Sequence, residues 1–385
     1  MDMTTTLESL NPTITLEGKQ LPSKPNELIA NYHSLLAEGR FSWTAHHRFI
    51  RPLGRGGQGV VYLTERRGSD GFTLPIALKV FSPQPYEDAR SYELDMSRIA
   101  IVASRVARIQ QDNLLNVHNF YDRGHIRMMP MEWIDGSDIR SLLSNELLNR
   151  LQDRVSATRW EHVNEVILTE GEVQPIVMPG VAVQIVRDCL AALAALHRDD
   201  IVHGDIKPAN IMLKRTGTAK IIDIGSAFDL RDPPPLRSCT PRYAAPELLD
   251  GGTSTPRSDL ASLGYVLIEL LSGKPIFSET SDCAELLESK RSLAQRLDEV
   301  LPESVTCNEL LMEFCQRLIA PDPARRFATA EHADYVEVGA SAFHRQLVKS
   351  DLASEYENEI RLWLDDVKEI EDIDLQKRND PTQRQ

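Results

Sequence analysis

Cysteine is scarce in this chain, and its spacing matches neither a zinc site nor a disulfide framework. Five cysteines occur in 385 residues, none of them in a Cys-X-X-Cys pair. An odd, widely spaced set excludes a zinc ribbon and indicates a reducing compartment, so we expect a cytoplasmic protein. The cysteines are Cys189, Cys239, Cys283, Cys307 and Cys315.

Long apolar runs, a basic N-terminus and an excess of positive charge are also missing. The apolar run Leu260–Leu271 has 12 residues, fewer than the ~20 of a membrane-spanning helix. The opening MDMTTTLESL does not resemble a signal peptide. The net charge of −14 argues against a nucleic-acid or membrane-surface protein. The hydrophobic fraction of 42% is enough for a full core.

The order of the predicted elements indicates an α+β protein. From His47 to Val80, short β runs surround glycine-rich turns, as in an antiparallel sheet. Beyond Asp135 the apolar spacing is mainly helical. Strands followed by helices favour a small antiparallel lobe and a larger helical lobe. Residues 144–178 are an insert, longer than a helix connection needs, in which we predict a small hairpin turning at Glu170–Gly171.

A glycine-rich segment, GRGGQGVV, begins at Gly54 between two β runs. A dinucleotide-binding fingerprint would need a helix after it and is excluded. A hairpin that covers phosphates fits, because glycines let backbone N–H groups approach an anion. From this motif alone, an ordinary hairpin is the alternative. Lys79 follows on an apolar strand, where its ammonium either binds phosphate or is simply solvated.

Two later segments carry the polar side chains of a metal and phosphate site. HGDIKPAN contains Asp205, Lys207 and Asn210, and IIDIG contains Asp223. Asp and Asn oxygens suit a hard cation such as Mg²⁺ bound together with substrate phosphates. A second aspartate then remains to accept a proton from a hydroxyl group.

Together these features resemble a eukaryotic-type protein Ser/Thr kinase, of the soluble kind also found in bacteria. Three further motifs follow in the family's order, TPRYAAPE from Thr240, SDLASLG from Ser258 and DPARRF from Asp322, and the resemblance spans about Phe49–Phe327. The implied fold is the two-lobed kinase fold. The implied division is an N-terminal arm with a short helix (1–45), an N lobe (46–134), a C lobe (135–345) and a C-terminal amphipathic helix and tail (346–385).

The resemblance implies transfer of the γ-phosphoryl group of ATP to Ser or Thr hydroxyls of a protein, with Mg²⁺ as cofactor. Asp205 resembles the catalytic base, and Asn210 and Asp223 resemble the Mg²⁺ ligands. Lys79 resembles the lysine on the α- and β-phosphates, and Lys207 the lysine that stabilises the transferred group.

The same resemblance implies an adenine site and structural residues. Met131 would be the gatekeeper, and the backbone of Glu132 and Ile134 would bind adenine. Asp138 fits a ribose contact or a helix cap equally well. The other implied ATP-binding residues are Leu53, Gly54, Gly56, Gly59, Val61, Ala77 and Met212, and the implied structural residues are Thr240, Asp259 and the ion pair of Glu247 with Arg326.

The acidic partner of Lys79 has two candidates, both on the predicted helix that follows. Glu93 lies at an acceptable distance along the chain, but Ser97 is not the apolar residue that the family places one turn later. Asp95 with Ile99 fits that apolar contact but is a shorter acid. We expect Glu93, with Asp95 as the alternative, while an exposed helix acid would explain either one.

Three other positions depart from the family. Ile224 stands for the usual Phe after the metal aspartate, Gln58 for an aromatic residue at the tip of the glycine loop, and Gly204 for the Arg before the catalytic aspartate. Without that Arg, we predict that activity does not depend on phosphorylation of the activation loop. Ser226 and Ser238 are the hydroxyl candidates in the loop.

The end of the chain has a one-stripe apolar pattern. Packing of a helix on its own lobe is favoured over a homodimer or partner docking through residues 352–370. The stripe consists of Leu352, Tyr356, Ile360, Trp363, Val367 and Ile370.

Two other functions are considered beside a protein kinase. A small-molecule phosphotransferase related to aminoglycoside or sugar kinases shares HGD and Asn210, but it generally lacks Thr240, Glu247 and Arg326. A pseudokinase scaffold is disfavoured because every chemical residue is present, unless the partner of Lys79 is missing.

Overall fold

The computed structural model describes residues 25–38, 40–41, 46–68, 70–234, 239–277, 282–348 and 356–379. Most of the N-terminal arm, part of the activation loop with Ser238, and Leu352 of the apolar stripe therefore lie outside the described residues. A helix is present within the arm where the sequence predicts one.

The N lobe is built on one antiparallel sheet with strand order β1-β2-β3-β4-β6-β5. Helix α2 contacts this sheet through Tyr92, whose hydroxyl donates to the backbone oxygen of Phe81 at 3.3 Å. Its first turn is capped by Asp88, whose carboxylate accepts from Ser91 N. The prediction of a small antiparallel lobe is confirmed. The elements are α1 Pro25–Glu38, β1 Arg40–Phe41, β2 His46–Gly56, β3 Gly59–Arg67, β4 Thr73–Phe81, α2 Ala89–Val106, β5 Tyr121–Arg123 and β6 Ile126–Glu132.

The C lobe is mainly helical, as predicted, and two helices form its centre. α6 and α8 are buried along most of their lengths and pack on each other. The first elements of this lobe are β7 Gly136–Asp138, α3 Ile139–Leu142, α4 Asn145–Gln152, α5 Ala157–Val166, β8 Leu168–Thr169, β9 Ile176–Val177 and α6 Pro179–Arg198. Then come β10 Ile201–Val202, β11 Ile211–Lys214, β12 Ala219–Ile221, β13 Phe228–Asp229, α7 Pro246–Leu249 and α8 Pro256–Ser272. The last are α9 Cys283–Leu293, α10 Leu297–Val300, α11 Glu303–Thr306, α12 Glu309–Leu318, α13 Ala330–Tyr335, α14 Ala340–Val348 and α15 Tyr356–Asn379.

Helix α6 is long and apolar enough to cross a membrane by length and composition. Most of that helix is buried inside the C lobe, however, so core packing accounts for its apolar character.

The insert at residues 144–178 forms two helices and a hairpin. Strands β8 and β9 pair antiparallel, with Leu168 opposite Val177. This is the predicted hairpin, although each strand has only two residues.

The C-terminal helix α15 packs on its own lobe, against α4 and α6. The described members of the apolar stripe are at most 6% exposed. Polar contacts flank the stripe, and Arg159 donates to Asp366 at 3.0 Å and Arg215 to Asp365 at 2.7 Å. The surface considered for a homodimer or a partner is therefore covered by the chain itself. The described stripe residues are Tyr356, Ile360, Trp363, Val367 and Ile370.

Trp363→Ala should destabilise the fold strongly. The indole is 4% exposed, and truncating a buried Trp costs about 3–5 kcal/mol. Denaturant unfolding should show this loss, while Glu369→Ala on the exposed side of α15 should change stability by less than about 0.5 kcal/mol. Equal effects of the two substitutions would mean that α15 is not docked in solution.

Candidate active site

The glycine loop is the turn between β2 and β3. Strand β2 ends at Gly56, and Gly59 begins β3 with a φ of +142°. A Cβ at Gly59 would lie 2.0 Å from the carbonyl oxygen of Val80, so only glycine allows β3 to run this close to β4. The loop is tied to β4 further on, because Ser82 N donates to the backbone oxygen of Gln58 at 2.9 Å.

Lys79 lies under this loop in strand β4 and is 4% exposed. It faces Val61 across the β3–β4 pair, while Ala77 pairs with Met131 on β6. Its ammonium donates to Asp223 Oδ1 at 2.5 Å. The sheet register thus brings the strand lysine to the aspartate predicted to bind metal.

Asp223 is held in an unusual backbone conformation. Its φ is +61°, a left-handed value that is uncommon for a residue other than glycine and that recurs at functional sites. Burial alone would raise the pKa of its carboxyl group, but the Lys79 ammonium and the N–H of Gly225 outweigh it and hold the pKa below its usual value. Asp223 is therefore ionised at neutral pH and able to bind a cation.

The expectation that Glu93 pairs with Lys79 is wrong for this structure, and so is the alternative with Asp95. Glu93 forms an ion pair with Arg127 on strand β6. Asp95 accepts from the Tyr86 hydroxyl at 2.5 Å and pairs with Arg98. The face of α2 that packs on the lobe is apolar, so both acids lie beside it. The buried residues of that face are Tyr92, Met96, Ile99, Val102, Ala103 and Val106.

Asp205, Lys207 and Thr240 form a closed triangle of hydrogen bonds. Lys207 Nζ donates to Asp205 Oδ2 at 2.7 Å and to Thr240 Oγ1 at 2.9 Å, and Thr240 Oγ1 donates to Asp205 Oδ1 at 2.7 Å. Asn210 Nδ2 also donates to the backbone oxygen of Asp205, at 2.8 Å. This bond uses the amide nitrogen, whereas the atom predicted to bind a cation is the amide oxygen.

Asp259 holds the loop that carries the triangle. It is 2% exposed. Its two carboxylate oxygens accept from the backbone N–H groups of His203 and Gly204, each at 2.9 Å, and His197 Nε2 lies 2.9 Å away. Gly204 has a φ of +77°, so the loop backbone requires a residue that tolerates left-handed geometry.

The predicted adenine site lies where the two lobes meet. Glu132 N donates to the oxygen of Asn116 at 3.0 Å, and the Glu132 carboxylate accepts from Lys220 at 2.5 Å, which fixes the segment before Ile134. Strand β11 pairs with β7 and places Met212 opposite Asp138. The remaining predicted ATP-binding residues lie on β2 and β3. Gly54 pairs there with Val61, and Gly56 pairs with Gly59. Leu53, also on β2, is 38% exposed.

Asp138 acts as a helix cap. Its carboxylate accepts from Ser141 N at 3.0 Å and from Ser141 Oγ at 2.6 Å at the start of α3. The capping explanation considered for this residue is therefore sufficient for its position, and a ribose contact stays a prediction.

Glu247 and Arg326 form a bidentate ion pair, both contacts 2.7 Å long. Arg326 also donates to the backbone oxygen of Ala320, and Ser258 Oγ donates to Glu247. Burial would raise the pKa of Glu247, but the hydrogen bonds and charge of Arg326 lower it. Removing one member of such a pair typically costs about 3–5 kcal/mol.

Two residues of this region were not expected from the sequence. Gln58 Oε1 accepts from Lys79 Nζ at 2.8 Å. Lys290 is fully buried, with its ammonium 4.0 Å from the ring centres of Tyr265 and Phe277, and it donates to the backbone oxygen of Arg242 at 2.7 Å. The sequence did carry a sign of the Gln58 contact, because the family has an aromatic residue at this position. Nothing in the sequence distinguishes Lys290 from a solvated lysine of a helix.

Comparison with known proteins agrees with this geometry. Residues 47–336 match the protein kinase domain family. The chain is 29% identical over 290 residues to the serine/threonine-protein kinase PknD of Mycobacterium tuberculosis, covering 74% of this chain and 38% of PknD. It is 26% identical over 295 residues to the serine/threonine-protein kinase PrkC of Bacillus subtilis, covering 75% of this chain and 39% of PrkC.

The chain thus spans about two fifths of the length of these two relatives. The match to the family nevertheless covers most of the chain, including the glycine loop, both catalytic segments and the pair formed by Glu247 and Arg326. Members of this family use ATP and a divalent metal ion. The chain belongs to the protein kinase family, and among its members it is similar to the eukaryotic-type Ser/Thr kinases of bacteria.

Proposed function

We propose that this chain is a protein Ser/Thr kinase that transfers the γ-phosphoryl group of ATP to a hydroxyl group of a protein substrate. The observation that carries the proposal is the triangle of Asp205, Lys207 and Thr240. It places a carboxylate and an ammonium side by side, as needed to orient a hydroxyl and to stabilise the charge of a phosphoryl group in transfer.

In the proposed mechanism, Asp205 accepts the proton of the attacking hydroxyl, and Lys207 stabilises the oxygens of the phosphoryl group. Lys79 binds the phosphates as a point charge under the glycine loop. Asn210 and Asp223 offer oxygen ligands of the kind that Mg²⁺ prefers, and we propose that they hold it. When bound, Mg²⁺ would neutralise charge on the phosphates.

A protein substrate is favoured over a small molecule. Thr240 contacts both Asp205 and Lys207, and it begins the segment that ends at the Glu247–Arg326 pair. This segment is a platform that small-molecule kinases generally lack, and the relatives reported above are named serine/threonine-protein kinases. We also propose a cytoplasmic location, because all five cysteines are free.

The test offers three classes of acceptor to the purified chain with labelled ATP and Mg²⁺. These are the chain itself, a generic basic protein, and aminoglycosides or sugars. We expect label on one or both of the proteins and none on the small compounds. Label only on a small compound would favour the phosphotransferase, and no transfer at all would favour the scaffold.

We further expect full activity without phosphate on the activation loop. Gly204 carries no charge that a loop phosphate would neutralise, and its backbone is already fixed by Asp259. Protein coexpressed with a phosphatase and confirmed by mass to be unmodified should keep its kcat within about threefold, as should Ser238→Ala. A fall of tenfold or more, about 1.4 kcal/mol of barrier, would contradict this.

A further inference from the structure

The surroundings of Lys79 account for two of its three N–H donors. The side chain is 5% exposed. One N–H is donated to Asp223 Oδ1 at 2.5 Å and a second to Gln58 Oε1 at 2.8 Å. An ammonium has three donors and accepts nothing, so one remains for a phosphate oxygen. Two fixed acceptors determine the direction in which that third donor points.

Helix α2 contributes no acceptor to this group. Its only acidic residues are Glu93 and Asp95, which are engaged by Arg127 and by Tyr86 with Arg98. The helix does pack against the short turn Ile224–Ser226 that follows Asp223. Ile99, Val102 and Asp95 line the same cavity as Gln58 and Gly225, and the Asp95 carboxylate is engaged there by Tyr86 and Arg98. The acid of α2 that lines this cavity is therefore held by other partners, and Lys79 is held by Asp223 and Gln58.

Gln58 is held in place at both ends. Its backbone oxygen accepts from Ser82 N at 2.9 Å, and its Nε2 donates to Ser226 Oγ at 3.4 Å. A Cβ at position 225 would lie 2.0 Å from Gln58 Oε1 and 2.9 Å from Lys79 Nζ. The glycine at 225 thus leaves the space in which the amide and the ammonium meet.

We propose that Gln58 is the positioning residue for Lys79, in the role for which helix α2 has no carboxylate. The inference rests on the proposed kinase function. The amide oxygen, with Asp223, aims the ammonium at the phosphates. The lysine is consequently aligned by the glycine loop that covers the nucleotide and by the turn after Asp223. Its alignment does not depend on an ion pair with α2.

The test compares Gln58→Leu, which keeps the size of the side chain and removes the acceptor, with Gln58→Glu, which keeps an oxygen at the same reach. Gln295→Leu is the matched control, since Gln295 is exposed on another part of the chain. We expect Gln58→Leu to lower kcat at least about tenfold while the KM for ATP changes less than about threefold. Gln58→Glu should recover most of kcat, and the control should match the wild type. A melting temperature for each variant checks that the fold is retained.

A second measurement follows Lys79 without phosphoryl transfer. An acyl phosphate of ATP acylates a lysine amine that lies against the phosphates, and mass spectrometry locates the label. Gln58→Leu should slow labelling of Lys79 several-fold, and Gln58→Glu should restore it.

The outcomes separate this inference from the proposed function. If wild type labels Lys79 but transfers no phosphate, the proposed function fails, and the labelling rates alone decide the role of Gln58. If Gln58→Leu labels and turns over like the wild type, the inference is wrong and the kinase function stands. A faster Gln58→Leu enzyme would also overturn it, because Gln58 would then block the phosphate site.

Discussion

Asp223→Asn should reduce phosphoryl transfer by a factor of a thousand or more. The substitution replaces a carboxylate that carries a full charge, and whose pKa is lowered by Lys79, with a neutral amide. An amide is a weaker ligand for a hard divalent cation and a weaker partner for the ammonium. Initial rates with labelled ATP, measured over a range of Mg²⁺ concentrations, check this expectation.

The amide is a better probe of this site than alanine. Lys79 is 4% exposed, and Asp223→Ala would leave its ammonium beside a cavity with Gln58 as its remaining partner. An uncompensated buried charge destabilises a fold. A fall in the activity of Asp223→Ala could therefore reflect either a lost fold or a lost metal ligand. Turnover of Asp223→Asn near the wild-type rate, in protein with an unchanged melting temperature, would refute the assignment of Asp223.

Asp205→Asn should lower kcat by about 10²–10⁴-fold, the usual contribution of a general base, and should change ATP affinity little. Asp205 contacts Lys207 and Thr240, and in the proposed mechanism it acts in the transfer step. Steady-state kinetics with equilibrium binding of ATP separate the two quantities.

The control for this variant is Asp229→Asn, in strand β13, where the carboxylate pairs with Arg105. It should keep kcat within about threefold. If Asp205→Asn loses ATP affinity while kcat is unchanged, Asp205 is not the catalytic base. An equal loss of kcat in both variants would indicate a general effect of removing a carboxylate and not the loss of a base.

The motifs predicted which side chains would come together, because each one combines a side chain with the backbone shape that presents it. The triangle around Asp205 and the pair of Glu247 with Arg326 are such cases, since their partners belong to motifs of fixed order. The assignment of Glu93 failed because it was counted along the chain from Lys79. Which partner a helix acid meets depends on how the helix is placed against the sheet, and spacing along the chain does not give this. In the structure Glu93 meets Arg127, and Asp95 meets Tyr86 and Arg98.

The C-terminal helix shows a different limit of the sequence. The spacing of its apolar residues predicted a buried stripe, with packing on its own lobe favoured, but did not identify which elements cover it. The contact depends on a distant position, Gly180 at the start of α6, where a Cβ would lie 2.1 Å from the Tyr356 hydroxyl. Tyr356 also stacks on His344, with ring centres 5.8 Å apart. Periodicity carries no information on such long-range fits.

The most direct test of the account is to identify the amino acid that receives the phosphate. The wild-type chain and Asp205→Asn would be incubated with γ-labelled ATP, Mg²⁺ and a protein acceptor, and the product hydrolysed to its phosphoamino acids. The account predicts phosphoserine or phosphothreonine from the wild type and at least a hundredfold less from Asp205→Asn. Label confined to small molecules, or equal labelling of the protein by both chains, would contradict it.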